Sequence, residues 1–179
     1  MKPMAITLAF GAFLTSLVAF IMSNNISQEE YTTNELDRTE SVKLKARLAA
    51  SEQKQGKHKP SDFKPIDSVQ IAQGRHKYVL VSAREPTSPE FTYFVTSRRG
   101  AAYHRNAAEP LVYSLKEAGY EDIEIKGGGR ILCNNDEKKI WVFGFSYSFG
   151  QANHETSKRV ILADERYKDY DVTVSNEGY

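Results

Sequence analysis

Three consecutive glycines, Gly127-Gly128-Gly129, stand between two extended-looking segments, and they restrict the possible folds more than any other feature of the chain. Glu121 to Ile125 alternates acidic and apolar residues, the period-two pattern of a half-exposed strand, and Ile131-Leu132-Cys133 continues extended beyond the glycines. Without Cβ atoms a strand can kink or bulge here, or let a second backbone pass closely. The same residues could instead turn successive amides toward an anion. Arg130, next in the chain, would then add a planar fork matched to phosphoryl oxygens. Two other glycine motifs are excluded. A P-loop needs Gly-Lys-Ser/Thr opening a helix, and Arg130-Ile131 does not supply it; a dinucleotide fingerprint has different spacing, and strand-like residues follow here.

The segments around the glycines predict one domain. Lys77 to Ser82 is apolar, β-branched and aromatic, hence a buried strand, and Phe91 to Thr96 is a second. Ala107 to Ala118 reads as a helix with Leu111, Leu115 and Ala118 on one face, and Gly119 is placed to cap it. Pro110 would cost about 3 kcal/mol in a helix interior. The helix is therefore expected to begin near Glu109, leaving His104 on a loop or kinked turn. Asn134 to Lys139 is a polar turn, Ile140 to Phe143 a strand, His154 to Tyr167 a second helix, and Asp171 to Ser175 a closing strand. The expected fold is α/β or α+β: a single domain over residues 69–179, with a mixed sheet flanked by two helices.

The amino-terminal third differs. Residues 4–22 form an almost uninterrupted apolar run, close to the roughly 20 residues that cross a bilayer as a helix. Lys2 precedes the run, and Glu29, Glu30, Glu35 and Asp37 follow it, which favours a cytoplasmic amino terminus. Residues 1–23 are expected to be a signal anchor, with a signal peptide cleaved near Ser23 as the close competitor. If uncleaved, residues 4–22 would hold the protein at a membrane. Residues 24–68 are polar and partly basic with few aromatics, and are expected to be a disordered linker with helical composition within Ser41 to Gln55. The net charge of +1 does not suggest a nucleic-acid partner. Cys133 is the only cysteine, so no intrachain disulfide can form.

Four histidines could carry chemistry: His58 in the linker, His76 before the first strand, His104, and His154 at the start of the second helix. Residue type and spacing do not choose among them. Taken together, Lys77-Tyr78-Val79-Leu80, Tyr103-His104 ahead of a glycine-ended helix, Gly127-Gly128-Gly129-Arg130 and the Phe143 to Gly150 segment resemble the phosphohistidine phosphatase family, which also contains the janus and ocnus proteins. The resemblance runs from about Lys77 to Tyr179. It implies that His104 is the catalytic residue and that Lys77, Arg130, Ser146, Tyr147 and Ser148 hold the phosphate, with Gly128, Gly129 and His154 in support.

The implied activity is hydrolysis of the P–N bond of phosphohistidine in partner proteins, by a monomer, without metal or other cofactor. Nearby cations would disfavour a protonated imidazole, leaving His104 to act on water as a base or to attack phosphorus directly. A phospholysine or phosphoramidate substrate and a noncatalytic, janus-like phosphate-binding module are the alternatives. A cysteine-dependent phosphatase is not expected, because Lys139, not arginine, stands six residues after Cys133. One departure stands out. Thr96-Ser97 occupies the place of an Arg-Gly pair common in the family, and Arg98, Arg99 and Gly100 come slightly later. The family's catalytic domain implies the cytosol, whereas the apolar run implies membrane association with an open orientation.

Overall fold

The computed structural model describes residues 34–52 and 63–177. In chain order the elements are α1 (Asn34–Glu52), β1 (Val69–Gln70), β2 (Gly74–Arg84), β3 (Phe91–Ser97), α2 (His104–Glu117), β4 (Glu121–Asn134), β5 (Lys139–Phe143), α3 (His154–Ala163) and β6 (Asp171–Val174). The strands make one mixed sheet in the order β1-β3-β2-β4-β5-β6. Neighbours are antiparallel in the centre, and the two edge pairs, β1 with β3 and β5 with β6, are parallel. The expected α+β class and mixed sheet are what the chain forms, with three helices described rather than two.

Alternation along β2 explains why the sheet is buried on both sides. Val79, Val81 and Ala83 pack with Leu111, Leu115 and Phe94 in one core, while Tyr78 and Leu80 pack with Ile131, Val142 and Ile161 in the other. A strand lined by both cores reads as a continuous apolar run, which is what Tyr78 to Val81 is. The first core belongs to the face of α1 and α2, the second to the face of α3. Cys133 is buried in the second core, where burial raises its thiol pKa.

Several expectations need correcting. Helix α2 begins at His104, not near Glu109, and Pro110 lies inside it. The proline is tolerated because Ala107, Ala108, Leu111 and Leu115 all bury on the same core, and tertiary packing outweighs the lost main-chain bond. At its far end Gly119 adopts φ +92°. There the Tyr120 amide donates to Leu115 O at 2.9 Å and the Gly119 amide to Lys116 O at 3.1 Å, a Schellman cap. Helix α3 stops at Ala163 rather than Tyr167. Asp164 is held extended, with Arg166 clamped between its carboxylate and the carbonyl of Val69. The short β1 is a strand that no sequence pattern marked, and part of the segment expected to be a linker is α1, whose Leu44 and Leu48 bury in the first core. Each leucine so buried contributes about 1.5–3 kcal/mol before the cost of ordering the helix.

The membrane location is also corrected. Among the described residues no helix is long and apolar enough to cross a membrane, and residues 4–22, on which that expectation rested, lie outside the described residues.

Candidate active site

Strand β4 runs unbroken through the glycines, which form a bulge and a close backbone approach. Leu80 pairs with Gly127 and Val81 with Ile125, which makes Lys126 the extra residue of a bulge. Gly127 follows with φ +127°, and a Cβ there would lie 2.6 Å from Gln151 O. A Cβ on Gly128 would lie 2.7 Å from Tyr78 O and 3.0 Å from Cδ2 of His104. The missing side chains therefore let two other segments close on the middle of the sheet. One is the Ser146–Gly150 loop and its continuation: the Gly128 amide donates to Gly150 O at 3.0 Å, and the Ala152 amide to Gly128 O at 3.2 Å. The other is the first turn of α2, which carries His104.

His104 is 3 % exposed, and its ring nitrogen Nε2 lies 2.9 Å from Gly129 O. A carbonyl only accepts, so Nε2 carries the proton and Nδ1 holds the lone pair. Among the described residues no hydrogen bond reaches Nδ1. Burial drives the imidazole pKa down to about 4; the Gly129 carbonyl opposes this and the Lys77 ammonium adds to it. The ring is thus neutral at pH 7, with one basic nitrogen uncommitted. Its position at the start of α2, on the positive end of the helix, works in the same direction.

Lys77 and Arg130 are directly paired across β2 and β4, so both side chains project from the sheet face that Gly128 also lines. Burial lowers the Lys77 pKa, and Asp37 works against that shift. Ser146, 1 % exposed, packs its Cβ against the bare Gly128. Its hydroxyl accepts from the Phe149 amide at 3.2 Å and lies 3.3 Å from the Ser148 hydroxyl. Ser148 Oγ in turn donates to Asp37 Oδ2 at 2.7 Å. These contacts gather His104, Lys77, Arg130, Gly128, Ser146 and Ser148 about one strand crossing. Such a group could hold a tetrahedral anion between two cations and a hydroxyl, with a neutral base alongside.

Three candidates lie differently. The Tyr147 ring sits edge-on to Phe145, with centroids 4.8 Å apart. Gly129 contributes its carbonyl to His104, while its Cβ position faces Tyr78 Cε1 and Phe143 O. His154 belongs to the opposite core, with Nε2–H donating to Gly144 O at 2.8 Å and Nδ1 accepting from Tyr78 Oη. Arg98 and Arg99 are exposed in the turn after β3, and Ser97 Oγ accepts from the Ala72 amide at 3.0 Å. Asp37 was not anticipated. It precedes Ser148 by 111 residues in a segment read as spacer, and no local pattern connects the two.

The Janus/Ocnus family model matches residues 63–171. The chain is 36% identical over 125 residues to the 14 kDa phosphohistidine phosphatase of Homo sapiens, covering 66% of this chain and 98% of that protein. The same-named protein of Sus scrofa is 34% identical, covering 66% and 97%. The sex-regulated protein janus-A of Drosophila pseudoobscura pseudoobscura is 34% identical over 129 residues, covering 68% and 85%.

Proposed function

The chain belongs to the Janus/Ocnus family, and from that premise we propose that it is a protein histidine phosphatase that hydrolyses phosphohistidine without a metal. The observation that carries the proposal is the neutral, buried His104 with Nδ1 uncommitted beside Lys77 and the bare Gly128. In this reading Nδ1 of His104 takes a proton from a water molecule as the oxygen bonds to phosphorus. The P–N bond breaks, and the leaving imidazole of the substrate departs with its electron pair and is protonated from solvent. Inorganic phosphate is the other product.

Lys77 and Arg130 meet the charge that spreads over the phosphoryl oxygens in a loose transition state. The Ser148 hydroxyl, which donates to Asp37 Oδ2 in the free protein, becomes a donor to a phosphoryl oxygen once that carboxylate gives way. Retaining Nε2–H on Gly129 O keeps the correct tautomer and stops the ring from rotating, so the base is placed before substrate arrives. The relatives named phosphohistidine phosphatase support this reading.

The test is release of phosphate from a phosphohistidine-containing protein, with a chelator present, by the full chain and by His104→Ala. Turnover by the wild type and a loss of about 100-fold or more in the variant are expected. A folded wild-type protein that binds phosphate yet releases none from phosphohistidine would replace the enzyme with a noncatalytic module. Turnover restricted to phospholysine would move the substrate class.

A further inference from the structure

The donors of the Ser146–Gly150 loop converge on a negative charge that the protein itself supplies. The Asp37 carboxylate cannot donate, so Ser148 must donate to it. The Ser146 hydroxyl is then free to donate to Ser148 Oγ, while accepting from the Phe149 amide. The chain of donors from Phe149 N–H through two hydroxyls thus points at Asp37 Oδ2, and such chains strengthen one another. The other carboxylate oxygen, Oδ1, receives the Ser41 hydroxyl at 3.4 Å. Asp37 is 7 % exposed, unusual for an aspartate in the first turn of a surface helix. It also stands close enough to Lys77 to raise that ammonium's pKa. A second tie fixes the same helix to the same loop, Lys45 Nζ lying 5.5 Å from the centroid of the Phe149 ring.

We propose that Asp37 is a specificity-determining residue: its carboxylate sits as an internal ligand on Ser148 and beside Lys77, and an incoming phosphoryl group must displace it. This rests on the phosphate site proposed above. A carboxylate and a phosphoryl group both offer anionic acceptor oxygens to a hydroxyl and an ammonium, coplanar about carbon in the one and tetrahedral about phosphorus in the other. The phosphoryl group carries more charge and one more oxygen, so it wins where a singly charged carboxylate ligand would not. Helix α1 thereby raises the threshold for any anion entering the site. A cradle filled by its own carboxylate about nine-tenths of the time would bind phosphate about tenfold more weakly than an open one.

The test is the affinity of inorganic phosphate for the full chain, measured by calorimetry and by chemical-shift changes at Ser148 and Asp37, in wild type, Asp37→Asn and Asp37→Ala. Glu35→Gln serves as the control, because it removes an exposed charge from the same helical turn. Binding about tenfold tighter in both Asp37 variants, with less than a twofold change in Glu35→Gln, supports the proposal. Asp37→Asn keeps the size of the side chain, and matching thermal melts show that its effect is not loss of the helix. If wild type binds phosphate, loses it in Lys77→Ala, and Asp37→Asn binds no tighter, Asp37 is no competitor, although the phosphate site stands. If neither wild type nor Asp37→Asn binds phosphate, the site and the proposal fall together.

Discussion

Two histidines begin the two helices that follow β3 and β5, and they start from almost the same circumstances. His104 opens α2 on one face of the sheet, and His154 opens α3 on the other. Each is 3 % exposed, each donates Nε2–H to a glycine carbonyl, and each has its pKa lowered first by burial. The difference is the second nitrogen. Nδ1 of His154 accepts from Tyr78 Oη, whose own pKa burial raises, so that ring is saturated and tied into the core. No described residue bonds Nδ1 of His104. A depressed pKa therefore does not mark a reactive histidine here, since both rings have one; an uncommitted lone pair within the field of the Lys77 ammonium does.

Substitution of each histidine breaks this contrast most directly. His104→Ala should lower turnover by about 100-fold or more on top of a stability loss from the Gly129 carbonyl it leaves, whereas His154→Ala should cost stability alone. Removing His154 leaves Tyr78 Oη and Gly144 O short of partners, at a cost of about 1–3 kcal/mol of stability, with turnover within about threefold of wild type. Parallel activity assays and urea melts decide the matter. Equal loss of activity in both variants would end the distinction.

Acid should separate the rings next. His104 titrates near 4 in the fold and near 6.5 when unfolded. Between those values the unfolded chain binds the extra proton, so stability falls as pH drops through that window. By pH 4.5 the loss traceable to His104 is about 2–3 kcal/mol. Wild type should lose that much more than His104→Gln between pH 7.5 and 4.5 in urea melts. NMR titration of the two rings gives the same answer independently, and a His104 midpoint near 6.5 would refute it. The smallest expected effect is that of Tyr78→Phe. It removes the partner of His154 Nδ1 and should cost about 1–2 kcal/mol without altering turnover, since Tyr78 lies in the opposite core. Faster turnover in that variant would show that the two faces communicate.

Sequence revealed the parts of the molecule governed by short-range rules. A continuous apolar, β-branched run marked β2, alternation marked the start of β4, a polar turn marked the hairpin before β5, and Gly119 marked the end of α2. The site was partly legible, because Lys77, His104 and Arg130 stood in a recognisable order and the glycines demanded close approach. What sequence could not give was set by distant partners. Pro110 argued locally against a helix that packing on Leu111 and Leu115 enforces. Leu44 and Leu48 sit in a stretch too polar to fold alone, and only the exposed edge of the first core gives them somewhere to bury. Asp37 gained meaning only from Ser148. The apolar run at residues 4–22 matched a length rule, yet no described helix is able to span a bilayer.

Gly128 stands opposite Val79 in the register of β2 and β4, while its own amide and carbonyl turn the other way and bond Gly150 and Ala152. The loop that bears Ser146 and Ser148 therefore hangs from the innermost part of the sheet rather than from its rim. Lifting it means breaking both of those main-chain bonds beside the bulge at Lys126. The amide protons of Gly128 and Ala152, which close those two bonds, should exchange with solvent slowly. A protease should cut within the loop only once those two bonds have parted.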